Sequence, residues 1–546
     1  MFLSLLAFTA LAADEFEGFR FYYGDIHSHT GASGDGGSSD IGACTRFSTG
    51  DPGVCGAYVD VGTVARANGL DFFASLDHVT SAGATTTVEN FEAVFQHVNG
   101  LNDPEGGLVT IPGAEVFVEL PDGSDVGHRS LLFFGDEATL SGLVMTDAQP
   151  SGSLSNQVSE CSVLTTFMDA LTARMGPALL LPHHPGVKKP MTTDWSCFDA
   201  EYEPAVEVYS EHGSSMDAES TFDIPWSGYA ASGTVLAGLD PRGGGLRFGF
   251  AAGSDNHDSH PGQTCGIDTV QDQPYGSGLT VVVLDAVETF DRPAIYAAFR
   301  DRKTYATTGP MLPLVVEVRL PDGSFVAAMG EAVPFANGQD IVVEARVPGD
   351  VAATVVSAIA LGPDAAWPMV ATVAGAWQVT IPAVELPEHL FVDLEVDAAA
   401  WWPSGCVDGG DSTFDHVWGS PIWFDPLDGD TDRDGYSPAD GDCDDGDERV
   451  HPGAEEACAQ PEADQNCDGV LAADDPDCVR DPGDTADTGA DTAESADDTV
   501  PIFDTHDSGD AVEPGPTHRC ACDSGNASFA GGVVLLAIAM SARRRR

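Results

Sequence analysis

The sequence predicts an α/β barrel, followed by a small β-sandwich and a disulfide-rich acidic module. Three observations carry this expectation. Between residues 14 and 310, short apolar runs alternate with helix-like stretches, and run after run ends in His, Asp or Glu. Between 311 and 425 the runs lose their intervening helices. From 426 to 478 hydrophobic residues thin out, and Asp, Gly and Cys take over.

The chain opens on "MFLSLLAFTALA", an apolar run with Ala10-Leu11-Ala12 as an A-x-A cleavage site. It reads as a signal peptide over residues 1–13, although it lacks the usual initial Lys or Arg. The first strand follows in "YYGDIHSHTGASGD", which packs Asp25, His27, His29 and Asp35 among small residues. "GTVARANGLDFFASLDH" is a helix, a Gly stop at Gly69 and a strand ending at Asp77-His78. "LVTIPGAEVFVEL" is strand-rich and carries Glu115, and "VGHRSLLFF" carries His128. "VLTTFMDALTARMGPALLLPHHPG" is again helix, Gly, strand, then His183-His184 before a proline. "AVEVYSEHG" with Glu207 and "FGFAAGSDNHD" with Asp255 and His257 repeat the design. A strand that ends in ligand residues many times over marks a βα barrel with its site at the C-terminal rim. An open doubly wound sheet does this once or twice.

Residues 311–425 contain "LPLVVEVRL", "DIVVEARV", "TVVSAIAL", "AWQVTI" and "LFVDLEV", short β runs separated by Pro, Gly and Asp. They predict an antiparallel sandwich. Residues 426–478 are too poor in apolar residues for a core. There "DGDTDRDGYSPADGDCDD" sets Asp430, Asp432 and Asp434 at alternating positions before Gly435, the opening of an EF-hand-like Ca loop. The twelfth position is Gly441 with Asp442 next, so the loop is not a standard EF-hand. Residues 479–515 have the composition of a disordered acidic linker. In 516–546 an apolar stretch shorter than the roughly 20 residues of a comfortable span ends in four Arg. It reads as a sorting tail or a membrane anchor.

The totals narrow the function. Lys and Arg number 23 against 87 Asp and Glu, a net charge of -64. Such a chain repels phosphate backbones, so no nucleic-acid patch is expected. The 12 Cys lie in loop-like contexts without a C-x-x-C pair, which predicts an exported protein with disulfides. Connectivity is open: Cys44–Cys55 and Cys161–Cys197 are convenient pairs, and Cys443, Cys458, Cys467 and Cys478 are placed to staple the coreless module.

In a strand, residues i and i+2 share a face, so His27 and His29 can bind one metal with Asp25 on the same side. A lone H-x-H pair is a weak signal, but the full ordered set is not. Mixed imidazole and carboxylate donors suit Zn, Mn or Fe rather than Ca.

The order H-x-H, D-H, G-x-E, H, H-P, S-D-x-H resembles the PHP (polymerase and histidinol phosphatase) superfamily. "YYGDIHSHT", "GSDNHDSHPG" and "AIYAAFRDRKTYATTGPML" resemble, more narrowly, a bacterial family of PHP-like proteins of unknown function. The resemblance covers roughly residues 15–345. It implies a distorted (β/α)7 barrel with two or three metals. It further implies that His27, His29, Glu115 and Asp255 surround one metal. Asp35, His78 and His257 would surround a second, with Asp35 where many relatives have His. Glu115, His128 and His184 would surround a third, with Glu115 bridging; His183 competes with His184, and the His-Pro spacing favours His184. Asp25, Asp77 and Glu207 would orient imidazoles.

The implied activity is that of an exported hydrolase. Divalent cations lower the pKa of a bound water from 15.7 toward about 7, and the hydroxide attacks an electrophile, foremost phosphorus. The substrate class is then a small-molecule or polymer-derived phosphoester, with Asp255, His257, Glu115 and His184 nearest the chemistry. His260 or Asn256 would assist the leaving group, and Arg129, Lys188, Lys189 or Arg247 would position the phosphate. The same ligands serve an amidohydrolase-like enzyme or a non-catalytic metal-binding surface protein. The C-terminal region resembles the Asp- and Cys-rich metal-binding repeats of bacterial surface proteins, thrombospondin Ca repeats, and the sorting tails of myxobacterial surface proteins.

Overall fold

The computed structural model describes residues 14–30, 60–79, 88–119, 125–143, 161–188, 191–217, 228–240, 245–257, 275–335, 366–397 and 414–426, with shorter stretches between these and on to residue 471. The expected signal peptide, linker and tail, together with Asp35, Lys189, Cys44, Cys55, Cys458, Cys478, Asp430, Asp432 and Asp434, lie outside the described residues.

The main strands of the N-terminal region are β1 (Phe19–Asp25), β2 (Phe72–Ser75), β3 (Val109–Glu119), β4 (Asp125–Phe133), β5 (Ala178–Pro182), β6 (Ala205–Ser210), β7 (Gly249–Ala252), β8 (Leu279–Asp285) and β9 (Thr304–Thr307). Among its helices are α1 (Val61–Ala67), α2 (Val88–Gly100), α3 (Ser162–Met175), α4 (Val235–Leu239) and α5 (Arg292–Arg300). Helix ends follow local chemistry. Asp60 caps α1 by accepting from Thr63 N, and Asp291 caps α5 by accepting from Ala294 N with a proline in the first turn. Gly69 and Gly176, both at positive φ, end the chain's run after α1 and α3.

Strands β9, β8, β1, β2, β3, β4 and β5 form one continuous ladder in that order, while β6 and β7 pair in parallel in a separate small sheet. β1, β2 and β3 are parallel; β3/β4, β4/β5, β8/β1 and β8/β9 are antiparallel. The closed (β/α)7 barrel read from the sequence is therefore not what the ladders form. One cause is visible in chain lengths. β3 ends at Glu119 and β4 begins at Asp125, which leaves no room for the dozen or so residues a parallel crossover needs.

The seams beside β6 and β7 are filled by other hydrogen bonds. Leu180 N–H donates to Tyr202 O at 2.8 Å between β5 and the approach to β6. Between β7 and β8 the Thr280 hydroxyl accepts from Ala252 N (2.9 Å) and donates to Ala252 O (2.8 Å). The Ser420 hydroxyl accepts from Phe250 N, and the Thr304 hydroxyl donates to Phe250 O. Side-chain hydroxyls thus satisfy β7 where a neighbouring backbone would otherwise do so.

β5 is buried on both faces: Leu179 and Leu181 join Phe72, Ile111, Ala205 and Ala251 in one cluster, and Ala178 and Leu180 join Phe133, Met168 and Met175 in another. The main ladder continues past residue 310, because β9 pairs with Phe414–Gly419. That strand leads to His389–Asp397 and Ile422–Pro426. A second, antiparallel sheet of five strands, with Val315–Arg319 and Ile341–Arg346 at its centre, covers it. Ile341, Val343 and Ala345 face Leu390, Val392, Leu394 and Val417 in a core that also takes in Phe21 and Tyr305. No helix among the described residues is long and apolar enough to cross a membrane.

Candidate metal centre

The ligand residues sit at or just beyond strand ends. His27 and His29 follow β1, His78 follows β2, Glu115 lies within β3 and His128 within β4. His183 and His184 follow β5, His212 follows β6, and Asp255 and His257 follow β7. All are buried except His78, whose side chain is 21% exposed.

Two carboxylates organise the imidazoles. Glu115 Oε2 lies 2.8 Å from His78 Nε2, 3.3 Å from His29 Nε2 and 3.6 Å from His27 Nε2. Its other oxygen, Oε1, lies 3.0 Å from His128 Nδ1 and 3.2 Å from His183 Nε2. Asp255 divides its oxygens the same way: Oδ1 is 3.0 Å from His29 Nε2 and 3.4 Å from His27 Nε2, and Oδ2 is 3.0 Å from His212 Nε2. Four sets of donor atoms fall within 4.8 Å of one another: Glu115, His128, His183 and His184; His29, His78 and His257; His27, His29, Glu115 and Asp255; and His212, Asp255 and His257.

The donor chemistry fits cations. His27 Nδ1 is hydrogen-bonded to Glu207 Oε2 at 3.0 Å, so its Nε2 faces the two carboxylate oxygens, and that buried atom has no hydrogen-bond partner. His183 Nε2 is likewise buried without one. A nitrogen lone pair aimed at anionic oxygens is repulsive unless positive charge lies between them. In the metal-free protein protons answer that demand. Burial pushes His27 down, but Asp255 and Glu207 outweigh it and hold it well above the usual imidazole range. Burial pushes Glu115 up, yet His78 and His183 outweigh it and hold it well below the usual carboxylate range. Burial also takes His183 down to about 3, so it stays in the neutral form that binds metal.

Backbone strain gathers here. Six non-glycine described residues have positive φ, and His184 (32°) and Asp255 (53°) are two of them. Gly253 lets β7 approach His27: a Cβ there would stand 2.5 Å from His27 Cβ and 2.9 Å from His27 N.

Several expected roles change. Asp25 and Asp77 both hold backbone. Asp25 Oδ1 accepts from His27 N and Ser254 N, and Oδ2 accepts from Gly262 N; Asp77 Oδ1 accepts from Thr30 N. An aspartate carboxylate one or two bonds from a turn reaches an N–H before it reaches a ring. His183 stands among the ligand atoms beside His184 rather than behind it. Asn256 braces its own loop, donating to Ser254 Oγ and His260 O, while His260 N donates back to Asn256 Oδ1. Arg129 is not placed for phosphate: it is fully buried in an ion pair with Glu203 and also donates to Val126 O and His128 O. Arg247 is paired with Asp425 at the sandwich. Lys188 is exposed, four positions past His184. His212 was not anticipated, although Glu-His-Gly after "AVEVYS" obeys the same strand-end rule as the other ligands.

In the C-terminal module, disulfide Cys443–Cys467 joins two acidic turns, and Cys161–Cys197 ties the start of α3 to the loop before β6. Asp442 Oδ1 accepts from Asp444 N and Asp464 Oδ2 from Gly469 N. Asp442 Oδ2 and Asp464 Oδ1 are buried without hydrogen-bond partners. The His451 ring stacks on Tyr436 at 5.1 Å.

Residues 442–472 match the Cu-binding MopE family model, described as "Putative metal-binding motif". The chain thus carries a metal-binding motif there, closed by a disulfide. No curated protein matches the chain. A modular endo-beta-1,4-mannanase from Cellulomonas fimi is similar at 13% identity over 73% of this chain and 94% of that one, with a TM-score of 0.18. A score that low carries no argument about fold or activity.

Proposed function

We propose that the chain is an exported metal-dependent hydrolase acting on phosphoesters, with two or three divalent cations (Zn, Mn or Fe) at the imidazole–carboxylate centre. The observation that carries this is the division of Glu115 and Asp255, each oxygen of which meets a different imidazole group. His27, His29, Glu115 and Asp255 would hold one cation; Glu115 with His128, His183 and His184 a second; His78 and His257, with the Asp35 expected from the sequence, a third. Such cations supply a nucleophile at neutral pH and neutralise phosphoryl oxygens. The chain's own residues set the geometry. Glu207 fixes the His27 tautomer, Asp25 ties the His27 loop to Ser254, and burial excludes bulk water from all but His78.

With Arg129 and Arg247 held in ion pairs, the cations themselves would grip the phosphate, with Lys188 exposed four positions past His184. The charge of -64 favours a small phosphoester over a polyanion. Two disulfides fit an oxidising, exported setting, and the tail would place the enzyme at the cell surface.

A second reading, non-catalytic metal binding, is favoured by the motif at 442–472. For that module we infer Ca2+ rather than copper, because its buried unpartnered donors are carboxylate oxygens, Asp442 Oδ2 and Asp464 Oδ1. Calcium-dependent protease resistance of residues 426–478 tests this, and insensitivity to chelation overturns it.

The hydrolase is tested by counting metals per chain after reconstitution and assaying aryl phosphate mono- and diesters. Full metal occupancy with no turnover on either would remove the phosphoesterase and leave the binding protein.

A further inference from the structure

We propose that His212 is a metal ligand: the cation held by His257 would sit between His257, His212 and Asp255, an assignment that rests on reading the cluster as a multi-metal centre. His212 lies two residues past β6, buried, with Nε2 3.0 Å from Asp255 Oδ2. The other oxygen of Asp255 is already directed at His29 and His27. Glu115 splits its oxygens between imidazole groups in the same manner.

A plain His–Asp hydrogen bond would account for His212 and Asp255 alone. It does not account for His257, whose ligand atom falls within 4.8 Å of both. His257 Nδ1 lies 3.0 Å from Asp255 O. A carbonyl oxygen only accepts, so Nδ1 carries the proton and Nε2 keeps the lone pair that ligation needs. The left-handed backbone of Asp255 aims its carboxylate between the two rings at a cost that a purely structural residue would avoid. Two imidazoles and one carboxylate oxygen form the three-ligand set of an open, borderline-soft cation site, suited to Zn2+.

The test uses the full chain, stripped and reloaded with Zn2+ or Co2+, with metal per chain measured by mass spectrometry. His212→Asn keeps a donor for Asp255 Oδ2 but is a poor ligand; it should hold one equivalent fewer than the wild type. An unchanged count with only weaker affinity would make His212 a positioning residue and overturn the assignment. A wild type that holds no metal would overturn both this and the multi-metal reading, whereas a loaded wild type with an unaffected variant overturns this alone. Because His212→Asn could fold poorly, His212→Cys gives a signal by gain. Loaded with Co2+, it should show a thiolate-to-cobalt charge-transfer band absent from the wild type. A folded, loaded variant without that band overturns the proposal.

Discussion

Glu207 Oε2 lies 3.0 Å from Nδ1 of His27, with both side chains buried, and this contact decides which nitrogen of His27 faces Glu115 and Asp255. A Glu207→Gln substitution retains the shape but removes the charge that holds the proton on Nδ1. Metal affinity should fall about 10- to 100-fold with the number of metals unchanged. Competition with a chelator of known affinity measures it, and an unaltered affinity would show that Glu207 does not set the tautomer.

Gly253→Ala should damage the centre from behind. The added Cβ meets His27 Cβ at 2.5 Å and His27 N at 2.9 Å, contacts that one of the two strand ends must relieve by moving. The cost should be about 1–3 kcal/mol, with loss of bound metal. Gly100→Ala in α2 is the control, since a Cβ there meets nothing within 4 Å. Denaturant melts of both variants, with metal counts, separate a local clash from general sensitivity.

Arg129→Met should destabilise the fold by about 3–5 kcal/mol by leaving Glu203 as an uncompensated buried charge. Adding Glu203→Leu should recover most of that loss. Failure of the double variant to recover, as read by urea midpoints, would mean that Arg129 does something beyond pairing with Glu203.

His389 provides a pH effect away from the metal centre. Burial pushes its imidazole down to about 4, and Nε2 has no hydrogen-bond partner. The unfolded chain takes a proton there near pH 6.5 while the native protein refuses it, so stability falls as pH drops from 6.5 to 4. One unit is 1.36 kcal/mol, which puts the loss at about 3 kcal/mol. His389→Gln should flatten this part of the curve relative to the wild type in metal-free protein. Parallel curves would show that His389 is protonated when folded.

Much of the centre was legible because strand-end chemistry is local. The spacing of His27 and His29 read as one strand face, and just past β1 both rings meet Glu115 and Asp255; Asp255 and His257 follow an apolar run that could only be buried. What local pattern could not give was partnership. Arg129 looked like a free cation until Glu203, 74 residues away, closed on it. Asp25 looked like an imidazole partner until the fold brought Ser254 and Gly262 to its two oxygens. The barrel expectation failed for a related reason: alternating runs specify strands, but only loop lengths and long-range ladders decide which neighbours pair and in which direction.

The hydroxyl-filled seams around β7 have a thermodynamic consequence. Glu115 and His183 belong to the long ladder, while Glu207, His212 and Asp255 extend from the small sheet. Cations bound between them would act as rivets across a joint that backbone hydrogen bonds cross at scattered points, such as Asp255 N to His27 O and His29 N to Asn256 O. Thermal stability should then rise with free metal concentration, so that the supply of metal sets how long the protein survives.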